Sequence, residues 1–177
     1  HVTAVEINPL AHQCCIENIA KYHAQDRITV LNMDFSDALS LLPCAMYDII
    51  IANPPISQLD DKNDAISATS AKAKKEMDSQ LYAFLTNAWR DEQGLDLVDH
   101  IFQFADKRLS NDGHIILVCC DIELDCNSYI NRKRTVYHYE EVKRIECCIT
   151  PQSIGVENFI CEPIKSHIFL LKKVICE

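Results

Sequence analysis

An α/β fold with a doubly wound, Rossmann-like sheet is what this sequence predicts, and three observations carry that expectation. Apolar, strand-forming runs alternate with segments of helical periodicity. Two successive runs end in an acidic residue, Glu6 and Asp34. A third run, Asp48-Ile49-Ile50-Ile51-Ala52-Asn53-Pro54-Pro55-Ile56, ends in a polar corner stiffened by two prolines. In an open α/β sheet, ligands bind at the C-terminal edge of the strands, which is where all three polar endings fall.

The elements follow in order. Val2–Ile7 is a short apolar strand, and Asn8-Pro9 opens a helix with Asn as cap and Pro in the first turn. The helix runs to about Tyr22, with Ala11, Cys15, Ile19 and Tyr22 on one face. Ile28–Leu31 is the second strand and Tyr47–Ala52 the third. Residues 57–88 are rich in Asp, Ser, Ala and Lys and read as a mobile lid over the strand ends. A helix is expected over Gly94–Leu109, where Leu95, Val98, Phe102, Ala105 and Leu109 form an i, i+3/i+4 stripe. Asn111-Asp112-Gly113 turns the chain into an apolar central strand, His114–Cys120. Asn131–Glu141 reads as an amphipathic helix or as irregular. Lys143–Thr150 and Ser166–Lys173 are expected to be antiparallel neighbours.

The 177 residues suffice for one domain with a sizeable core. A net charge of −9 disfavours a nucleic-acid surface, which needs concentrated Lys and Arg. The cationic groupings, Arg132-Lys133-Arg134 and Lys72, Lys74 and Lys75, read as solvated faces. No apolar run approaches the roughly 20 residues of a membrane-spanning helix. The ten cysteines fall as adjacent pairs and singles without C-x2-C spacing, so they read as buried, reduced thiols of a cytoplasmic protein. The seven histidines share no ligand spacing, and no metal site is expected. Trp89 and the Tyr137-His138-Tyr139 cluster read as packing residues.

At the strand ends, the residue types fit a nucleoside. A carboxylate such as Glu6 suits the two hydroxyls of a ribose. Asp34 suits an exocyclic amine, with Phe35 beside it as a surface for an aromatic base. Each has a plainer role open to it: Glu6 could cap the following helix, and Asp34 could form a turn. Asn53 offers an acceptor oxygen, and Pro54 and Pro55 hold the surrounding carbonyls rigidly, an array suited to gripping a planar NH2 group.

These motifs resemble the Rossmann-like S-adenosylmethionine-dependent methyltransferases that modify amino groups, whose signature is Asn/Asp-Pro-Pro-aromatic. Val5-Glu6-Ile7-Asn8-Pro9 is similar to the family's second-strand motif, which implies that Glu6 and Ile7 contact the cofactor S-adenosylmethionine through its ribose. Met33-Asp34-Phe35 is similar to the motif that contacts its adenine. Asp48–Ile56 is similar to the catalytic motif, which implies catalytic roles for Asn53, Pro54, Pro55 and Ile56 and a cofactor contact for Asn53. Ile56 stands where the family places an aromatic residue, so it can cover the target by dispersion but offers no π surface. Ala88-Trp89 and Gly94-Leu95-Asp96 look like the segment after the catalytic loop in HemK-type protein-glutamine methyltransferases. That resemblance implies a translation release factor as protein substrate, and a small zinc-binding activating subunit as a partner. An adenine-N6 or other amino-directed RNA or DNA methyltransferase is the alternative, and a non-catalytic subunit, favoured by Ile56, a second one.

The family's glycine-rich first motif has no counterpart, since Gly94, Gly113 and Gly155 are the chain's three glycines. Residues 1–177 are therefore expected to be a partial catalytic domain, N-terminally truncated and lacking the first strand and its glycine-rich loop. Such a piece is expected to fold poorly alone and to bind cofactor weakly.

Overall fold

A computed structural model of the chain describes residues 1–42, 45–54, 96–120, 126–149 and 164–174. The chain folds as two units, His1–Ala45 and Met46–Glu177.

The first unit is a parallel pair of strands, β1 (Val2–Glu6) and β2 (Ile28–Asn32), connected by helix α1 (Pro9–Lys21). Parallel neighbours need such a crossover. Asn8 starts the helix as the sequence predicts: its Oδ1 accepts from the Leu10 and Ala11 N–H groups, and Pro9 occupies the first turn. Ala11, Cys15 and Ile19 are half-buried, whereas Tyr22, expected on the same stripe, lies past the helix end and is exposed. His12 Nε2 reaches the Val30 carbonyl at 3.3 Å and ties α1 to β2. A 3₁₀ turn (Phe35–Asp37) and a short helix, α2 (Ala38–Leu41), follow; neither is expected from the sequence.

The second unit holds a four-stranded sheet ordered β3 (Tyr47–Ala52), β4 (Leu109–Cys120), β6 (Ile164–Lys173), β5 (Tyr139–Ile149). β3 and β4 are parallel, and β6 runs antiparallel to both β4 and β5. The antiparallel tail therefore matches expectation. Between β3 and β4 the register shifts from Tyr47↔Leu109 to Ile49↔His114, so the expected Asn111-Asp112-Gly113 turn is a bulge within a longer strand.

Two helices pack on one face of this sheet. Helix α3 (Leu97–Arg108) buries Val98, Phe102 and Ala105 of the stripe read from sequence, together with Ile101 and Phe104, and ends before Leu109, which begins β4. Phe104 meets Tyr47, and Phe102 meets Tyr139. Helix α4 (Cys126–Val136) lies on the same face, where Asn127 Oδ1 accepts from Arg144. It starts five residues before the expected Asn131–Glu141 segment, and residues 139–141 of that segment already belong to β5. Tyr137 stacks on Phe102 at 5.1 Å and Tyr139 is buried against the same ring, so the two tyrosines of the cluster pack, whereas His138 between them is exposed. The core is Ile50, Ile115, Leu117, Phe169 and Leu171 under these helices, while Ile49 and Ile51 on the other face are exposed. The expectation of buried thiols fails in part: Cys119 and Cys126 are buried, but Cys14, Cys147 and Cys148 are exposed. No described helix is long and apolar enough to cross a membrane.

Candidate functional site

In the first unit, Glu6 and Asn32 are register partners at the C-terminal ends of two parallel strands. That is the edge at which α/β sheets bind ligands. Glu6 is half-buried, and its Oε1 accepts from the Asn8 N–H at 2.7 Å. Its Oε2 has no partner among the described residues, so one oxygen shapes the turn and the other can accept from a ligand hydroxyl. Ile7 is exposed beside it. Glu6 does not itself cap α1; Asn8 does.

Asp34 divides its carboxylate in the same way. Oδ1 accepts from the Ser36 N–H and hydroxyl, each at 2.9 Å, and caps the 3₁₀ turn. Oδ2 has no partner among the described residues. Phe35, half-buried, begins that turn. Turn formation and an open acceptor thus coexist at both acids rather than competing. The structure brings Glu6, Ile7, Asp34 and Phe35 to one edge of one parallel pair.

In the second unit, Asn53 and Pro54 follow β3 directly, at the C-terminal end of a strand parallel to β4. Pro54 is buried, and Asn53 is exposed with its side-chain amide making no hydrogen bond among the described residues. An anchored proline behind an uncommitted amide is what a fixed acceptor at this corner requires. Pro55, Ile56, the 57–88 segment, Trp89, Gly94 and Leu95 lie outside the described residues.

The cationic grouping at 132–134 is not one face. Lys133 Nζ turns inward, 2.5 Å from Asp99 Oδ2 and 3.2 Å from Asp96 Oδ2, and Arg134 Nε donates to Asn131 Oδ1. That leaves Arg132 as the exposed member, too little charge for a phosphate-binding patch. Sequence reasoning missed one residue at the candidate site, Asn32. Its Nδ2 donates to the carbonyls of Glu6 at 2.8 Å and Ile7 at 3.1 Å.

No family model matches the chain. Over 117 residues it is 31% identical to the ribosomal protein uL3 glutamine methyltransferase of Bordetella pertussis, covering 66% of this chain and 34% of that protein. Over 119 residues it is 28% identical to the MTRF1L release factor glutamine methyltransferase of Homo sapiens, covering 66% and 32%. The chain thus spans about a third of the length of the curated relatives it matches. Among solved structures, the precorrin-6y C5,15-methyltransferase from Geobacter metallireducens superposes with a TM-score of 0.56 at 16% identity, covering 98% of this chain and 67% of that one. The fold is that of the class I methyltransferases, here with a parallel pair and a mixed four-stranded sheet. Within that class, the chain is similar in sequence to these two glutamine methyltransferases, in line with the resemblance to the HemK-type group.

Proposed function

We infer that the protein is an S-adenosylmethionine-dependent N-methyltransferase acting on the side-chain amide of a glutamine in a protein of the translation apparatus. A cytoplasmic release factor is the substrate this reading favours. Support comes from the two curated relatives, one named for ribosomal protein uL3 and one for a release factor, both glutamine methyltransferases. The structural observation that carries the reading is the corner after β3: an exposed Asn53 amide with no hydrogen bond among the described residues, set on a buried Pro54.

The donor set fits the cofactor. Glu6 would hold the ribose hydroxyls with Oε2, Asp34 would accept from the adenine amine with Oδ2, and Ile7 and Phe35 would supply apolar cover. S-adenosylmethionine, when bound, supplies an electrophilic methyl group. The chain's own part is then positioning. A glutamine NH2 is a poor nucleophile because its lone pair is delocalised into the amide. Accepting hydrogen bonds at Asn53 Oδ1 and the Pro54 carbonyl would favour a pyramidal nitrogen and stabilise the positive charge that develops there. Pro55 would keep the corner rigid, and Ile56 would cover the amide plane by dispersion.

A small activating subunit is a further partner in this reading. Methyl transfer to RNA or DNA is the second reading; the inward turn of Lys133 and the net charge of −9 count against it. The test is mass spectrometry of a release factor, of uL3 and of an adenine-containing RNA, each incubated with the protein and S-adenosylmethionine. Methylation of glutamine is the expected result. Methylation of RNA alone, or of nothing, would overturn the reading.

A further inference from the structure

We propose that Asn32 is a positioning residue for cofactor binding, acting through Glu6. This rests on the reading above that Glu6 holds a ribose. Asn32 is the register partner of Glu6, at the point where the β1–β2 ladder ends. The last backbone rung there, from Met33 N to the Glu6 carbonyl, is long at 3.3 Å. The Asn32 side chain continues the ladder in place of the backbone. One planar NH2 group donates to two consecutive carbonyls, Glu6 O at 2.8 Å and Ile7 O at 3.1 Å.

The consequence for Glu6 is geometric. Its peptide planes are held from β2 by Asn32, and its carboxylate is held from the other side by the Asn8 N–H at 2.7 Å. Asn8 is itself fixed by its bond to the Leu10 N–H at 2.9 Å. With backbone and one carboxylate oxygen both fixed, Oε2 is left as an acceptor in a single orientation. Preorganisation of this kind raises affinity because little freedom remains to be lost on binding. Asn32 need not touch the cofactor to do this. A strand-end amide that merely stiffened the turn would act on cofactor affinity independently of the Glu6 carboxylate.

The discriminating experiment is a double-mutant cycle read by calorimetric titration with S-adenosylmethionine, using wild type, Asn32→Ala, Glu6→Ala and the double variant. Asn32→Ala is expected to weaken binding about tenfold, the scale on which losing the partner of a ligand-gripping side chain acts. It should leave kcat at saturating cofactor unchanged, and in the Glu6→Ala background it should weaken binding no further. Asn32→Ser, whose hydroxyl is too short to span both carbonyls, should behave the same way, and serves if Asn32→Ala does not fold. Equal losses in both backgrounds, or no loss from either Asn32 variant beside a weakened Glu6→Ala, would overturn the positioning role alone. Wild-type affinity in Glu6→Ala would remove the ribose reading itself.

Discussion

Lys133 Nζ lies 2.5 Å from Asp99 Oδ2, and through this contact α4 grips the first turn of α3. Asp96 and Asp99 form a reciprocal capping box there, Asp96 Oδ1 accepting from the Asp99 N–H and Asp99 Oδ2 from the Asp96 N–H. Tyr129 donates to Asp96, and Tyr137 donates to Asp99 Oδ1 at 3.1 Å. Two acids at a helix N-terminus suit the macrodipole, but Asp99 is buried, and Lys133 is the cation that balances the pair.

Replacing Lys133 with Met keeps the side chain's bulk and removes its charge. Asp96 and Asp99 would then lack a counter-ion among the described residues, which costs about 3 kcal/mol by the scale of broken buried pairs. Urea unfolding followed by circular dichroism measures this directly. A loss below about 1 kcal/mol would class the pair with exposed ion pairs instead.

Asp96 also sets an acid limit. Burial pushes its carboxyl pKa up, but hydrogen bonds from Tyr129 and the Asp99 backbone, together with Lys133, outweigh that and leave it below the ordinary value of 3.8. A carboxyl depressed in the folded state contributes stability above its unfolded pKa, and that contribution is lost as pH falls through the folded pKa. The urea midpoint of the wild type should therefore gain nothing from Asp96 below its folded pKa. The difference between wild type and Asp96→Asn should hold steady at neutral pH and shrink on acidification below about 3.8. A difference independent of pH would contradict the assignment.

Gly113 sits in the bulge where β4 leaves its register with β3. A Cβ there would lie 2.7 Å from Leu109 Cγ, 2.8 Å from its Cδ1 and 3.0 Å from the Ser110 carbonyl oxygen. Leu109 is itself buried, so it has little room to yield. Gly113→Ala is expected to destabilise by roughly 1–3 kcal/mol, the range for overpacking a filled site. An unchanged melting temperature would show that the bulge can relax.

Much of the fold is legible in sequence where the signal is local. β1 and β3 are short apolar runs, α1 carries its own Asn8-Pro9 start, and the stripe of α3 is regular. The bounds of α4 are not legible, because it buries only Cys126, Tyr129 and Ile130 of its eleven residues, too few to mark a face. The start of β5 is hidden for a related reason: it is an edge strand, and Glu140, Glu141 and Lys143 mask its period. At the candidate site, Glu6, Asp34, Asn53 and Pro54 can be read because each closes or closely follows an apolar run. Asn32 cannot, since its two acceptors lie 26 and 25 residues away in sequence and only strand pairing brings them together.

The proposed role of the Asn53 amide oxygen, orienting a planar nitrogen for methyl transfer, can be isolated with Asn53→Ala in the protein, cofactor affinity and glutamine methylation being measured side by side. S-adenosylmethionine affinity should stay within about threefold while transfer falls by about two orders of magnitude or more, the scale of losing one preorganised charge-stabilising group. Transfer at the wild-type rate in Asn53→Ala would contradict it.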